Sequence, residues 1–325
     1  MNTQAQDAVR VENDSLMMGP IRITFERTLR IPEEGLHPLP PGLGAFPLRR
    51  VQDYPSTVPQ SWLERGGVML PVYQREAMWL YFDADEPAAL QVGIGKVCAV
   101  SGIAWNEQFS SDPQNYLALP EQPWLDGINS GEGFIRQFVA VPLGLGATVE
   151  GQVTGVEEHG GVQLRSVKLT ARALRKWRSS HRRNSRMLGS SEGIVFCAAP
   201  DMGLGAGGRM EQEVYADERS LDDYEPSSSQ RVFVHLCSAA QWTAITGEVP
   251  PSTPVDREAY VQAGLPWFEY YDADAKDLPA SSILSSVKSV GAKLGDQQQP
   301  FTPVHPGDVF TLKDPHDKTV SDGTW

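Results

Sequence analysis

Two short pieces of this chain carry residues able to hold a hard cation: Tyr81-Phe82-Asp83-Ala84-Asp85 and Tyr270-Tyr271-Asp272-Ala273-Asp274. Each sets an Asp-x-Asp pair after an aromatic stretch, residues 78–82 in one case and 267–271 in the other. A strand that ends in two carboxylates offers the oxygen ligands that Ca2+, Mg2+ and Mn2+ prefer. A metal held there would clamp a diphosphate or activate a water, the chemistry of a metal-dependent transferase or hydrolase. Asp83, Asp85, Asp272 and Asp274 are therefore the candidate metal ligands, provided the two pairs share one cleft. The competing reading is that solvated acids mark the ends of strands. A sugar-nucleotide transferase would also place its acids after a nucleotide-binding half, and residues 1–78 do not alternate strand and helix.

Other motifs complete no catalytic constellation. Gly189-Ser190-Ser191-Glu192-Gly193 has the spacing of a nucleophile elbow, but that motif needs a strand before it and a helix after it. Here a basic segment precedes it and an apolar run, residues 194–198, follows. Ser285 and Lys288 have acyl-transfer spacing without the companion motifs. Residues 203–209 (GLGAGGR) invite comparison with a phosphate loop, yet no Gly-Lys-Ser/Thr follows, so a turn using positive φ is expected. Trp105, Trp124, Trp242 and Trp267 lie near Pro, Gly or cap residues, where tryptophan lines a ligand groove or closes a core edge; the core edge is expected. Catalytic residues stay unassigned, and no cofactor-binding residue is expected.

The elements that must position these residues are mostly strands. Residues 21–31, 68–73, 77–82, 90–100, 134–141, 148–154, 162–169, 194–198, 231–237 and 309–312 are short apolar or alternating runs bounded by Gly and Pro. Helical signals gather in the last third, at 238–245, 256–263 and 281–294, each with a Ser or Asp at its start and a Gly beyond its end. The pattern predicts an α+β chain, β-rich, with mostly antiparallel sheets in a sandwich- or barrel-like arrangement. Residues 1–18 read as a flexible arm, 19–295 as one compact domain, and 296–325 as a polar tail. Residues 172–188 read as an exposed basic insertion. Seven bases fall in 172–186, and the acidic stretch 211–225 complements them.

The 325 residues are 40% hydrophobic with eight Trp, enough apolar material for a core. A net charge of −13 opposes nucleic-acid binding. Cys98, Cys197 and Cys237 sit singly in apolar settings without zinc-ligand spacing, as reduced buried thiols of a cytoplasmic protein do. No apolar run approaches the about 20 residues of a spanning helix, so no membrane association is expected.

Six blocks occur together: residues 44–51 (GAFPLRRV), 73–79 (YQREAMW), 120–127 (PEQPWLDG), 135–140 (IRQFVA), 202–213 beginning MGL and ending QE, and 264–268 (GLPWF). In these, over residues 20–295, the chain resembles a family of uncharacterised soluble microbial proteins with no assigned activity. The label of integral membrane protein that some members carry does not fit this sequence. The resemblance supplies no catalytic residue. The reading that follows is a non-catalytic binding or self-assembling structural protein of the cytosol, with itself as the expected partner in a homo-oligomer. A metal-dependent transferase or hydrolase using the Asp-x-Asp pairs is the alternative.

Overall fold

The computed structural model describes residues 9–33, 35–131, 133–180, 202–254, 260–261, 267–270, 277–295 and 309–312. The chain is β-rich and mostly antiparallel, as its alternating runs require. Its first strands are β1 (Arg10–Glu12), β2 (Ser15–Met18), β3 (Ile21–Thr28), β4 (Leu36–His37), β5 (Gly42–Ala45) and β6 (Arg49–Arg50). After helix α1 (Gln60–Arg65) come β7 (Val68–Val72), β8 (Ala77–Ala84), β9 (Ala88–Ile94), β10 (Val97–Cys98) and β11 (Leu117–Leu119). Next are β12 (Trp124–Leu125), β13 (Gly127–Gly131) and β14 (Phe134–Pro142), then α2 (Val149–Thr154), β15 (Val162–Lys168) and α3 (Ala171–Ser180). β16 (Met202–Glu211), β17 (Gln230–Ser238) and α4 (Ala239–Thr246) complete the main body, and β18 (Trp267–Tyr270) pairs in parallel with β19 (Val309–Leu312).

Seventeen of these strands form one sheet. One run of it goes β1–β2–β3–β8–β14–β16, and a second goes β7–β17–β15–β9–β11. The runs join where Met202 of β16 pairs with Leu236 of β17, and again through the short turn from β8 into β9. Both bury one face against the same core: Ile23, Phe25 and Leu80 from the first, Val92, Leu164 and Leu236 from the second. The sheet is not closed into a barrel.

Several expectations change. Residues 15–18 belong to the sheet and not to an arm, because Leu16 and Met18 are fully buried and the Ser15 and Thr24 hydroxyls share a 2.8 Å hydrogen bond. Residues 149–154 are helical although they alternate polar and apolar: Thr148 caps the amide of Gly151 and Gly155 ends the turn in the left-handed region. The basic segment begins as a helix, α3, which docks Leu174 and Trp177 on a cluster containing Tyr116 and Tyr224. Arg172 lies 3.8 Å from Asp223 of the acidic stretch. The helix expected over 281–294 is two, Ser282–Ser285 and Val290–Leu294, capped by Ser281 and Ser289. Residues 194–198 and most of 256–263 lie outside the described residues.

The glycine-rich stretch 203–209 is neither a turn nor a phosphate loop but part of β16, and none of its glycines has positive φ. Packing explains them. A Cβ on Gly208 would lie 1.9 Å from the Pro32 carbonyl oxygen, and one on Gly205 2.6 Å from Val290. Backbone and side chains press on this strand from both faces, leaving no room for side chains there.

Candidate functional site

Three neighbouring strands build one patch of surface. Gln163 of β15 pairs with Gly93 of β9 on one side and with Phe233 of β17 on the other, so the three share a face. Arg231, two residues before Phe233, points the same way. The intervening row, Val92, Leu164 and Val232, faces the core. Glycine at 93 makes space for an indole: a Cβ there would meet the Trp105 ring at 2.6 Å.

The turn between β9 and β10 adds a cation. Gly95 and Lys96 have φ of 56° and 62°, the pair of left-handed residues that a two-residue hairpin turn needs. Gln163 fixes this turn, its Oε1 accepting the Lys96 N–H at 2.6 Å while its Nε2 donates to the Gly160 carbonyl at 3.0 Å. The Lys96 ammonium has no hydrogen-bond or ion-pair partner among the described residues. Arg65, at the end of α1, donates to the carbonyls of His159 and Glu158 at 3.4 and 3.3 Å and lies 5.4 Å from the centre of the Phe233 ring. His159 is oriented by the buried Glu150, which accepts from its Nδ1 and its backbone amide, both at 2.9 Å.

Between this patch and β1 runs a groove of about 560 Å³. Val9, Arg10 and Val11 form one wall and Arg231, Val232 and Phe233 the other. Arg50, Arg65 and Lys96 also line it, against Glu64 and Glu107, so its lining is cationic within an acidic chain. Three of the cations are paired: Arg10 with Glu12, Arg50 with Asp53, and Arg231 with Glu107. These pairs are exposed, and water offsets most of their attraction. Arg65 and Lys96 keep their charge available.

Elsewhere the buried ionisable groups are occupied internally. Glu76, raised to about 7 by burial against the opposing pull of Arg27, pairs with that arginine at 2.6 Å. Asp126 is likewise raised to about 7 by burial, with Gln212 and Trp124 as opposing partners. The Tyr116 and Tyr224 hydroxyls donate to Asp217 at 3.0 and 2.6 Å. His235 is lowered to about 4 by burial, stacks on Trp62 and bonds the Gly66 carbonyl. Burial would raise the Glu157 carboxyl, but the Thr148 hydroxyl and the amides of Gly146, Thr148 and Gly144 all donate to it and together hold it below its ordinary value.

Of the residues singled out from the sequence, Asp83 is exposed near the end of β8, in register with Arg22 of β3, and Asp85 is exposed in the turn beyond. Asp272 and Asp274 lie outside the described residues, as do Cys197 and the 189–193 motif. Among the described residues no three His, Cys, Asp or Glu side chains gather as metal ligands. Ser285 and Lys288 are both exposed. Trp242 and Trp267 are fully buried, whereas Trp105 lies in the groove, the reading that the core-edge expectation passed over. Sequence reasoning missed Arg65, Lys96 and Gln163 because they come from three separate elements. The one local signal was Gly95-Lys96 between two apolar runs, a hairpin-turn pattern.

No helix among the described residues is long and apolar enough to cross a membrane. Comparison with family models, curated proteins and solved structures finds no match for this chain.

Proposed function

We propose that the protein is a non-catalytic binding protein and that its ligand is an anion seated in the groove beside Lys96. The observation that carries this reading is the concentration of Arg65, Lys96, Arg231, Arg10 and Arg50 around one concavity of a chain with net charge −13. A fold with that excess of acid repels anions over most of its surface, so a cationic concavity is a selective place for one to land. Trp105 and Phe233 supply apolar area beside the charge, the usual make-up of a ligand site. The free buried thiols Cys98 and Cys237 suit a reducing compartment, in keeping with action in the cytosol.

The test is a thermal-shift and calorimetric series with inorganic triphosphate and polyglutamate at graded salt, on the native chain and on Arg65→Glu/Lys96→Glu. Both replaced side chains are exposed, so the variant should melt with the native protein. Anion binding that weakens with salt and disappears in the variant is the expected result. A native chain that ignores every anion, or a variant that binds as well, would dispose of the reading.

A further inference from the structure

We infer that the anion is a free nucleoside polyphosphate, its base stacked on Trp105 and its phosphates on Lys96 and Arg65; this rests on the groove being the anion site. One turn presents both the ring and the charge. The Trp105 amide donates to the Lys96 carbonyl at 2.8 Å, and the Lys96 amide in turn donates to Gln163 at 2.6 Å. Ala104, just before the tryptophan, forms an isolated bridge with Val97. The backbone therefore holds Trp105 beside the turn that carries the Lys96 ammonium.

The indole is half-buried in the groove and lies over Gly93, where a Cβ would come within 2.6 Å of it. A glycine inside a strand marks a place where another group approaches the backbone closely. Trp105 has no ring or cation neighbour among the described residues. Phe233, the other ring of the groove, is already engaged, by Arg65 at 5.4 Å from its centre and by the His235 ring at 4.5 Å between centres. Trp105 is thus the ring left to receive a ligand. A flat ring covers an indole best, and every nucleobase offers one.

The charges call for a ligand whose two ends differ. Lys96 as a point charge and Arg65 as a planar fork both suit phosphate oxygens. Two carboxylates, Glu64 and Glu107, share the lining, and Glu107 stands two residues beyond Trp105, paired with Arg231. These acids repel a bare polyanion. A ribose is welcome beside them, because its hydroxyls donate to carboxylates, and it lies between base and phosphates. The groove, about 560 Å³, has the size of a small-ligand site. A net charge of −13 disfavours a long polynucleotide there.

The probes are the four common nucleoside triphosphates, each titrated calorimetrically into the full chain beside inorganic triphosphate, without divalent cations. At least one should bind about tenfold or more tightly than triphosphate, the gain that one stacked base provides. That nucleotide should also change the tryptophan emission, and triphosphate should not. Trp105→Leu should erase the difference in affinity between nucleotide and triphosphate. Trp105→Phe, which keeps a ring over Gly93, should retain most of the nucleotide affinity and lose the emission change; it decides the matter should the leucine variant fail to fold. Should triphosphate bind as tightly as every nucleotide, the ligand needs no base and this inference fails while the anion site stands. An emission change that survives in Trp105→Phe would place the base on another tryptophan and overturn it too. A tetranucleotide that binds more tightly than any mononucleotide would rule out a free nucleotide as the ligand. If no probe binds, both readings fall.

Discussion

At the scale of single residues, the buried ionisable groups set the pH response, and they pull in opposite directions. Burial raises the Asp126 carboxyl to about 7, so the folded chain holds a proton that the unfolded chain releases near 4. The folded state binds more protons between those values, and this contribution to stability is lost as pH rises through 7; Glu76 acts in the same sense. His235 does the reverse. With its folded value lowered to about 4, stability is lost as pH falls below the ordinary 6.5. A shallow profile for the native chain would hide both slopes, which single variants separate. Asp126→Asn should gain on the native protein by at most about 1.4 kcal/mol per pH unit between about pH 4 and 7, then level off. Urea unfolding at intervals from pH 5 to pH 8 reads this difference, and a gap that does not move with pH would refute the assignment. His235→Gln should flatten the acid limb in the same experiment. None of these residues announced itself in the sequence. Asp126 stands in Pro-Trp-Leu-Asp-Gly like any turn acid, and only the fold gives it Gln212, 86 residues away, as its partner.

At the scale of elements, period and punctuation were legible where one face is buried. β3, β8, β14 and β17 lie close to where their apolar patterns place them, and α4 runs between the Ser238 cap and the left-handed Gly247. Failures came where tertiary contacts override a local pattern. α2 alternates like a strand, but the Thr148 cap at its start and the left-handed Gly155 at its end frame it as a turn of helix. The β16 glycines look like freedom and are instead tight packing. Gly208→Ala and Gly205→Ala should therefore each destabilise by roughly 1–3 kcal/mol or more, as overpacking does. Gly131→Ala, where the nearest atom to a new Cβ is 3.9 Å away, should change little. Chemical denaturation of the three variants decides, and a native-like Gly208→Ala would mean the strand has slack. α3 gives a parallel contrast: Trp177→Ala should cost more than Arg172→Ala, whose exposed pair with Asp223 contributes about 0–1 kcal/mol.

At the scale of the molecule, one core joins the two runs of the sheet, and the N-terminal hairpin belongs to it. The sequence made residues 1–18 look dispensable because strands of three and four residues are too short to show a period. Yet β2 covers the edge of β3 from Ile21 to Thr24, and Leu16 and Met18 are fully buried. Two such side chains represent about 1.5–3 kcal/mol each, and a domain has only about 5–15 kcal/mol in all. Deleting residues 1–18 also bares the edge of β3 and one wall of the groove. The deletion should therefore lower the melting midpoint sharply or abolish cooperative unfolding, and it should remove anion binding as well. The substitution Leu16→Ala, which leaves the hairpin in place, should cost about 2–5 kcal/mol and keep the cations of the groove. Calorimetry on both proteins separates the contributions. A deletion that melts with the native chain would show that the hairpin lies outside the cooperative unit. A stable deletion that still binds anions would move the ligand away from the wall formed by β1.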